Sequence, residues 1–205
     1  MAAIDGGTGT GPGATVSRGG RARLAGKLML GWVALLWALE VADVLAGNSL
    51  DRFGVMPRDP GELVDVVPSA FVHFGFAHVA ANTVPLLVLG FLAALGGIRR
   101  FLAVCALIVV ADGVGVWLIS PAGVNTAGVS GVIFGLFGFL LVSGFVERRP
   151  LGVLVAVLIT AVWGGSVLAG LSPNQTGVSW QGHLIGLLAG VAAAFLLARR
   201  RPVDG

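Results

Sequence analysis

The chain has 205 residues, 56% of them apolar, 33 of them glycine and only 11% charged, where an ordinary soluble domain has about 25% charged residues. Too little polar surface remains to cover a globule in water, so a soluble domain is excluded and lipid is the expected solvent. The formal charge of +3 raises nucleic acid as a partner until the basic residues are placed, and the single cysteine, Cys105, excludes an internal disulfide and any multi-cysteine metal site.

Residues 1–27 are Gly, Thr, Ala and Arg without apolar periodicity and are expected to form a disordered cytoplasmic tail. The first apolar run, 28–46, has a weak likeness to a cleavage site at Val44 and Ala46, but its length and the acids Glu40 and Asp43 favour an uncleaved span. From Val66 to Ile98 there is no Asp, Glu, Lys or Arg, which leaves room for a loop and a second span. Phe101 to Ser120, interrupted only by Asp112, is a third, and Gly128 to Val146 a fourth. Pro150 to Ala198 is uncharged, too long for one span and broken by the polar stretch Ser172 to Gly182, so it supplies a fifth and a sixth. The expected fold is an all-α membrane protein: a six-transmembrane-helix bundle over 28–198, followed by a basic cytoplasmic tail, 199–205.

Orientation follows from the cations, because Lys and Arg in short flanking loops stay cytoplasmic. Arg18, Arg21, Arg23 and Lys27 precede span one; Arg99 and Arg100 separate two from three; Arg148 and Arg149 separate four from five; Arg199, Arg200 and Arg201 follow six. Only Arg52 and Arg58 fall on the other side, so both termini are expected to be cytoplasmic. The basic clusters are thereby read as topology, and nucleic acid is set aside as a partner.

Ionisable groups inside spans are costly and mark function or a wet cavity. Glu40, Asp43, His78, Asp112 and His183, with the polar Asn82 and Ser130, all fall in the outer half of this topology. A transporter needs such groups through the whole thickness, so an outward-opening cavity is the better reading. Glycines say which spans touch: Gly128, Gly131, Gly135 and Gly138 share one face of span four, and Gly182, Gly186 and Gly190 one face of span six. Small faces let helices approach closely in lipid, and these two carry Ser130 and His183. A serine hydroxyl becomes a nucleophile when a base takes its proton, and histidine suits that exchange near neutrality. His78 and Asn82, four residues apart on span two, offer donors to a tetrahedral oxyanion together with the Ser130 backbone N–H.

The segments Gly128-Val129-Ser130-Gly131, His183-Leu-Ile-Gly186-Leu-Leu-Ala-Gly190 and His73-Phe-Gly-Phe-Ala-His78-Val-Ala-Ala-Asn82 match, in the expected spans, the GxSG, HxxGxxxG and HxxxxHxxxN motifs. Over about residues 28–198 the chain resembles the rhomboid family of intramembrane serine proteases. The resemblance implies a Ser130/His183 dyad without an aspartate and an oxyanion site of His78, Asn82 and the Ser130 N–H. It gives Gly128, Gly131, Phe134 and Gly186 supporting roles. It also implies hydrolysis of peptide bonds in transmembrane protein substrates near the outer face of the membrane, with no cofactor and no metal, by a multi-pass protein of the bacterial plasma membrane. Ser172 to Gln181 resembles the mobile cap of the family. Two features depart from it: Phe134 stands where a stacking tyrosine is common, and the loop from Gly47 to Pro68 lacks the Trp-Arg pair of many members. His73 is read as a loop anchor. The competing reading is a catalytically inactive rhomboid-like protein that binds transmembrane helices.

Overall fold

Ser17 starts the first helix: its Oγ accepts the Gly20 N–H at 3.1 Å and satisfies one of the donors that a helix N-terminus leaves unpaired. In the computed structural model, which describes residues 17–198, helix α1 then runs Arg18–Leu45. The helix therefore begins well before Leu28, the expected edge of the first span, and residues 18–27 are helical where a disordered tail was expected. Arg, Ala, Leu and Lys are strong helix formers, so the helix of the span propagates back through the basic segment to its cap. The remaining tail residues, 1–16 and 199–205, lie outside the described residues.

Five further α-helices follow: α2 Phe76–Leu95, α3 Ile98–Ile119, α4 Ser130–Val146, α5 Pro150–Gly170 and α6 Trp180–Leu196. Pro150 occupies the first turn of α5, where its missing N–H costs nothing, and the Ser179 Oγ caps α6 by accepting the Gly182 N–H at 3.3 Å. Between α1 and α2 the chain makes three short 3-10 turns, Ser49–Phe53, Pro60–Val66 and Pro68–Ala70. Among the described residues the only β pairing is an isolated antiparallel bridge between Val55 and Thr126. Helices α1, α2, α3 and α5 are long and apolar enough to cross a membrane, while α4 and α6 are apolar but have 17 residues each, about 25 Å at 1.5 Å per residue.

The shortness of α4 suits its position. Its residues from Gly131 to Leu140 are all buried, on every face, as in a helix enclosed by others, and it packs against α2, α3, α5 and α6. The glycine stripes make the closest of these contacts: a Cβ on Gly186 would fall on the Gly131 carbonyl, one on Gly190 on the Gly135 carbonyl, and one on Gly138 would lie 2.5 Å from the Leu187 oxygen. Helix α5 leans on α4 with Gly144 against Gly152 and buries only Ala156, Ile159 and Gly170. Its exposed Leu151, Leu154, Val157, Leu158, Val162 and Leu168 form a face that only lipid would cover at low cost. At the end of the bundle where α3 begins, the buried Glu147 pairs with Arg100 and, at 3.3 Å, with Arg149, tying the end of α4 to its neighbours. The polar residues collect at the opposite end.

Candidate active site

At that opposite end the chain enters α4 through Gly128, whose φ of +123° suits glycine. A side chain there is also excluded sterically, because a Cβ would lie 2.7 Å from His78 Cε1 and 2.9 Å from His78 Nε2. The segment before α2 holds this turn from the other side: the Gly128 N–H donates to the Ser69 carbonyl at 2.8 Å, and the Val129 N–H donates to His73 Nε2 at 3.4 Å. His73 is buried and meets His78 edge-on with ring centroids 5.0 Å apart. It is thus an anchor of the turn that delivers Ser130 to the first position of α4, where backbone N–H groups have no intrahelical partner.

His78 accepts the Phe74 N–H through Nδ1 at 3.4 Å, which assigns its proton to Nε2, the nitrogen beside Gly128. One turn along α2, Asn82 is buried and donates one amide hydrogen to the His78 carbonyl at 3.1 Å. A carboxamide carries two such hydrogens, so the second remains for another acceptor.

His183 is held in two ways. Its Nδ1 lies 2.9 Å from the carbonyl of Gly170, the last residue of α5. A carbonyl only accepts, so Nδ1 carries the hydrogen and Nε2 keeps a lone pair. Its ring also stacks on Phe134, centroids 4.0 Å apart and planes 10° from parallel, and Phe134 stands one helical turn below Ser130. Loss of the tyrosine hydroxyl therefore leaves the stacking surface intact. Gly170 is a residue that sequence reasoning missed, because a glycine ending a helix has no distinguishing pattern. A Cβ there would lie 2.5 Å from Phe134 Cζ and 3.0 Å from His183 Nδ1.

Ser130, His183, His78, Asn82, Phe134 and Asp112 line one cavity of about 520 Å³, with Gly128 and Gly131 in its wall. Gly186 lies behind it, against the Gly131 carbonyl. Of the residues singled out from the sequence, these lie at one place, contributed by α2, α3, α4 and α6, whereas Glu40 and Asp43 of α1 do not line the cavity. Among the described residues, no group of three or more His, Cys, Asp or Glu is placed to hold a metal ion. The arrangement offers a hydroxyl at a helix N-terminus, an imidazole with a free lone pair, and two side-chain donors.

A family model, the rhomboid domain, matches residues 60–200, and the chain belongs to the rhomboid family, a family of intramembrane proteases. With its apolar helices this makes it a multi-pass membrane protein. It is similar to an uncharacterized protein of Mycobacterium tuberculosis (strain ATCC 25618 / H37Rv), 41% identical over 183 residues that cover 85% of this chain and 76% of that one. An uncharacterized protein of Mycobacterium leprae (strain TN) is 40% identical over 183 residues, covering 85% and 72%. YdcA of Bacillus subtilis (strain 168), provisionally named a rhomboid protease, is 27% identical over 142 residues, covering 69% and 70%.

Proposed function

We propose that the protein is an active intramembrane serine endopeptidase that hydrolyses peptide bonds of transmembrane substrates near the outer face of a bacterial plasma membrane. The observation that carries the reading is the 2.9 Å contact between His183 Nδ1 and the Gly170 carbonyl. It leaves Nε2 as the basic nitrogen of an imidazole whose plane is fixed by Phe134. In this reaction Nε2 takes the Ser130 hydroxyl proton as Oγ attacks the scissile carbonyl carbon. The oxyanion receives the Ser130 backbone N–H, the His78 Nε2–H and the second Asn82 amide hydrogen. The imidazolium, stabilised by the Gly170 oxygen and the Phe134 face, then protonates the leaving amine. Water attacks the acyl-enzyme carbonyl as Nε2 takes its proton, and Nε2 then returns that proton to Ser130 Oγ as the acyl–oxygen bond breaks, which releases the new carboxylic acid and restores the hydroxyl and the neutral imidazole.

In the topology that accompanies this reading, all six α-helices span the membrane, both termini are cytoplasmic and the cavity lies toward the outer face. A single cysteine at Arg99 is protected from an impermeant thiol reagent in intact cells and one at Asn174 reacts, both in a Cys105→Ser background; labelling at Arg99 would reverse the orientation. For the chemistry, the purified protein in detergent is expected to cut a single-span model substrate and to take up an activated fluorophosphonate on Ser130. Ser130→Ala and His183→Ala each abolish both. A correctly folded protein that neither cuts nor labels is the inactive helix-binding protein instead.

A further inference from the structure

A second cavity, a groove of about 570 Å³, lies between α1 and α3. Leu28 and Leu35 of α1 and Leu102 and Val110 of α3 form its walls, and Val67 and Phe71 enter it from the turns before α2. Trp32 and the buried Phe101 back it, with Trp32 stacked on Phe71 at 6.1 Å and edge-on to Phe101 at 6.2 Å. Leu35, Val67, Leu102 and Val110 are exposed, so the groove opens outward from the bundle. It follows α1 from Lys27 to Leu35, about 12 Å at 1.5 Å per residue, less than half of the roughly 30 Å hydrocarbon core.

The walls are apolar and the mouth is basic. Lys27 is the one charged residue in the lining, and no carboxylate lines it. Arg23 precedes Lys27 by one turn of α1, and Arg99 precedes Leu102 by three residues on α3, so both extend the groove-lining faces beyond the mouth. All three cations are exposed. Among the described residues the only carboxylate at this end of the bundle is Glu147, which pairs with Arg100 and Arg149. Acyl chains of any lipid suit the walls, but the mouth selects by charge, since anionic head groups are drawn to basic pockets between membrane helices. A second copy of this chain would bring its own Arg23, Lys27 and Arg99 to the same depth and set like charges together. We propose that this groove is a binding site for an anionic phospholipid, with the phosphate at Lys27, Arg23 and Arg99 and an acyl chain along the walls. Phe71 stands two residues from Ser69 and two from His73, which hold the Gly128–Val129 turn, so a seated chain packs against the segment that supports Ser130. The site needs no hydrolysis, and it stands or falls apart from the protease reading.

The test uses the full chain in a neutral detergent, with dioleoyl phosphatidylglycerol and dioleoyl phosphatidylcholine added in competition and bound lipid counted by native mass spectrometry. The chains are identical, so only the head group is compared. Each Lys or Arg near an anionic head group contributes about fivefold, so phosphatidylglycerol is expected to be retained over phosphatidylcholine by at least about tenfold and to raise the thermal midpoint more. Lys27→Gln lowers that preference about fivefold, and adding Arg23→Gln and Arg99→Gln brings it close to unity. Gly31 lines the groove and a Cβ there would meet nothing within 4 Å, so Gly31→Trp fills the space without disturbing the bundle and is expected to remove both the preference and the gain in midpoint. Arg148→Gln, at an exposed cation of the same end that does not line the groove, keeps both. The ratios are taken within one preparation, so a partly unfolded variant does not distort them. Equal retention of the two lipids leaves only ordinary boundary lipid and overturns the site. A preference that survives Gly31→Trp, or that falls as far with Arg148→Gln as with Lys27→Gln, also overturns it, because the charge of the whole rim is then responsible. A dimer that forms without lipid and that Gly31→Trp dissociates would put a second copy in the groove instead.

Discussion

Gly170→Ala tests whether the position of His183, and not merely its presence, sets the rate. Gly170 has an ordinary backbone conformation that alanine adopts freely, so the effect is steric. The new methyl would lie 2.5 Å from Phe134 Cζ and 3.0 Å from His183 Nδ1. Carbon atoms rest about 3.6 Å apart, so about 1 Å must be found. If the rings give, the imidazole leaves its place against Phe134. If the end of α5 gives instead, which is easy for a helix packed mainly on α4, the 2.9 Å contact between Nδ1 and the Gly170 oxygen stretches past the roughly 3.5 Å limit of a hydrogen bond. Either way the base is misplaced by about 1 Å, a displacement that costs on the order of 10² in rate. The assay is kcat on the single-span substrate, with the thermal midpoint and fluorophosphonate labelling measured on the same preparation. Gly165→Ala, in the same helix with nothing within 4 Å of the new methyl, serves as the control and is expected to keep its kcat. Phe134→Leu removes the atom that collides, so combining it with Gly170→Ala costs less than the two single losses together. A Gly170→Ala protein with kcat within about twofold of the unaltered one would refute the reasoning that these contacts position the base.

Two further outcomes are expected. Asn82→Ala lowers kcat by about 10² or somewhat less, because His78 and the Ser130 N–H remain as donors, and changes KM little; if Asn82 only bonds the His78 carbonyl within α2, the change is instead a stability loss of about 0.5–1.5 kcal/mol with normal kcat. In the loop after α1, burial and the neighbouring Asp43 raise the Asp51 carboxyl above its ordinary value of 3.8. The folded chain therefore retains a proton that the unfolded chain releases first, and stability falls as pH rises above that value. Asp51→Asn removes this titration, so its thermal midpoint should exceed that of the unaltered protein at neutral pH, with the gap closing toward pH 4; an unchanged pH profile would show that Asp51 is not held protonated.

What the sequence determined by itself is local in origin. The positions of the apolar helices follow from runs of residues that water rejects, and the facing of α4 and α6 from glycines repeating at the helical period. The approach of His78 and Asn82 follows from a spacing of four on one helix. Each of these properties is set within about twenty consecutive residues, and so it is readable before any folding is considered. The start of α1 was obscured because composition suggested a tail while propensity and the Ser17 cap carried the helix back to Arg18. Tertiary structure alone decided the rest. The turns between α1 and α2 have no periodicity and are held by distant partners: the Asp59 carbonyl by the Trp117 indole N–H at 2.7 Å, the Asp51 carbonyl by the Asn125 amide at 2.7 Å, and Val55 by Thr126. Gly170 meets His183 across the loop between α5 and α6, and Asp112 reaches the neighbours of Ser130 and His183 from a third helix. These contacts join residues far apart in the chain or across a loop of no regular period, so no spacing in the sequence encodes them, and only the packing of α3, α4, α5 and α6 brings them together.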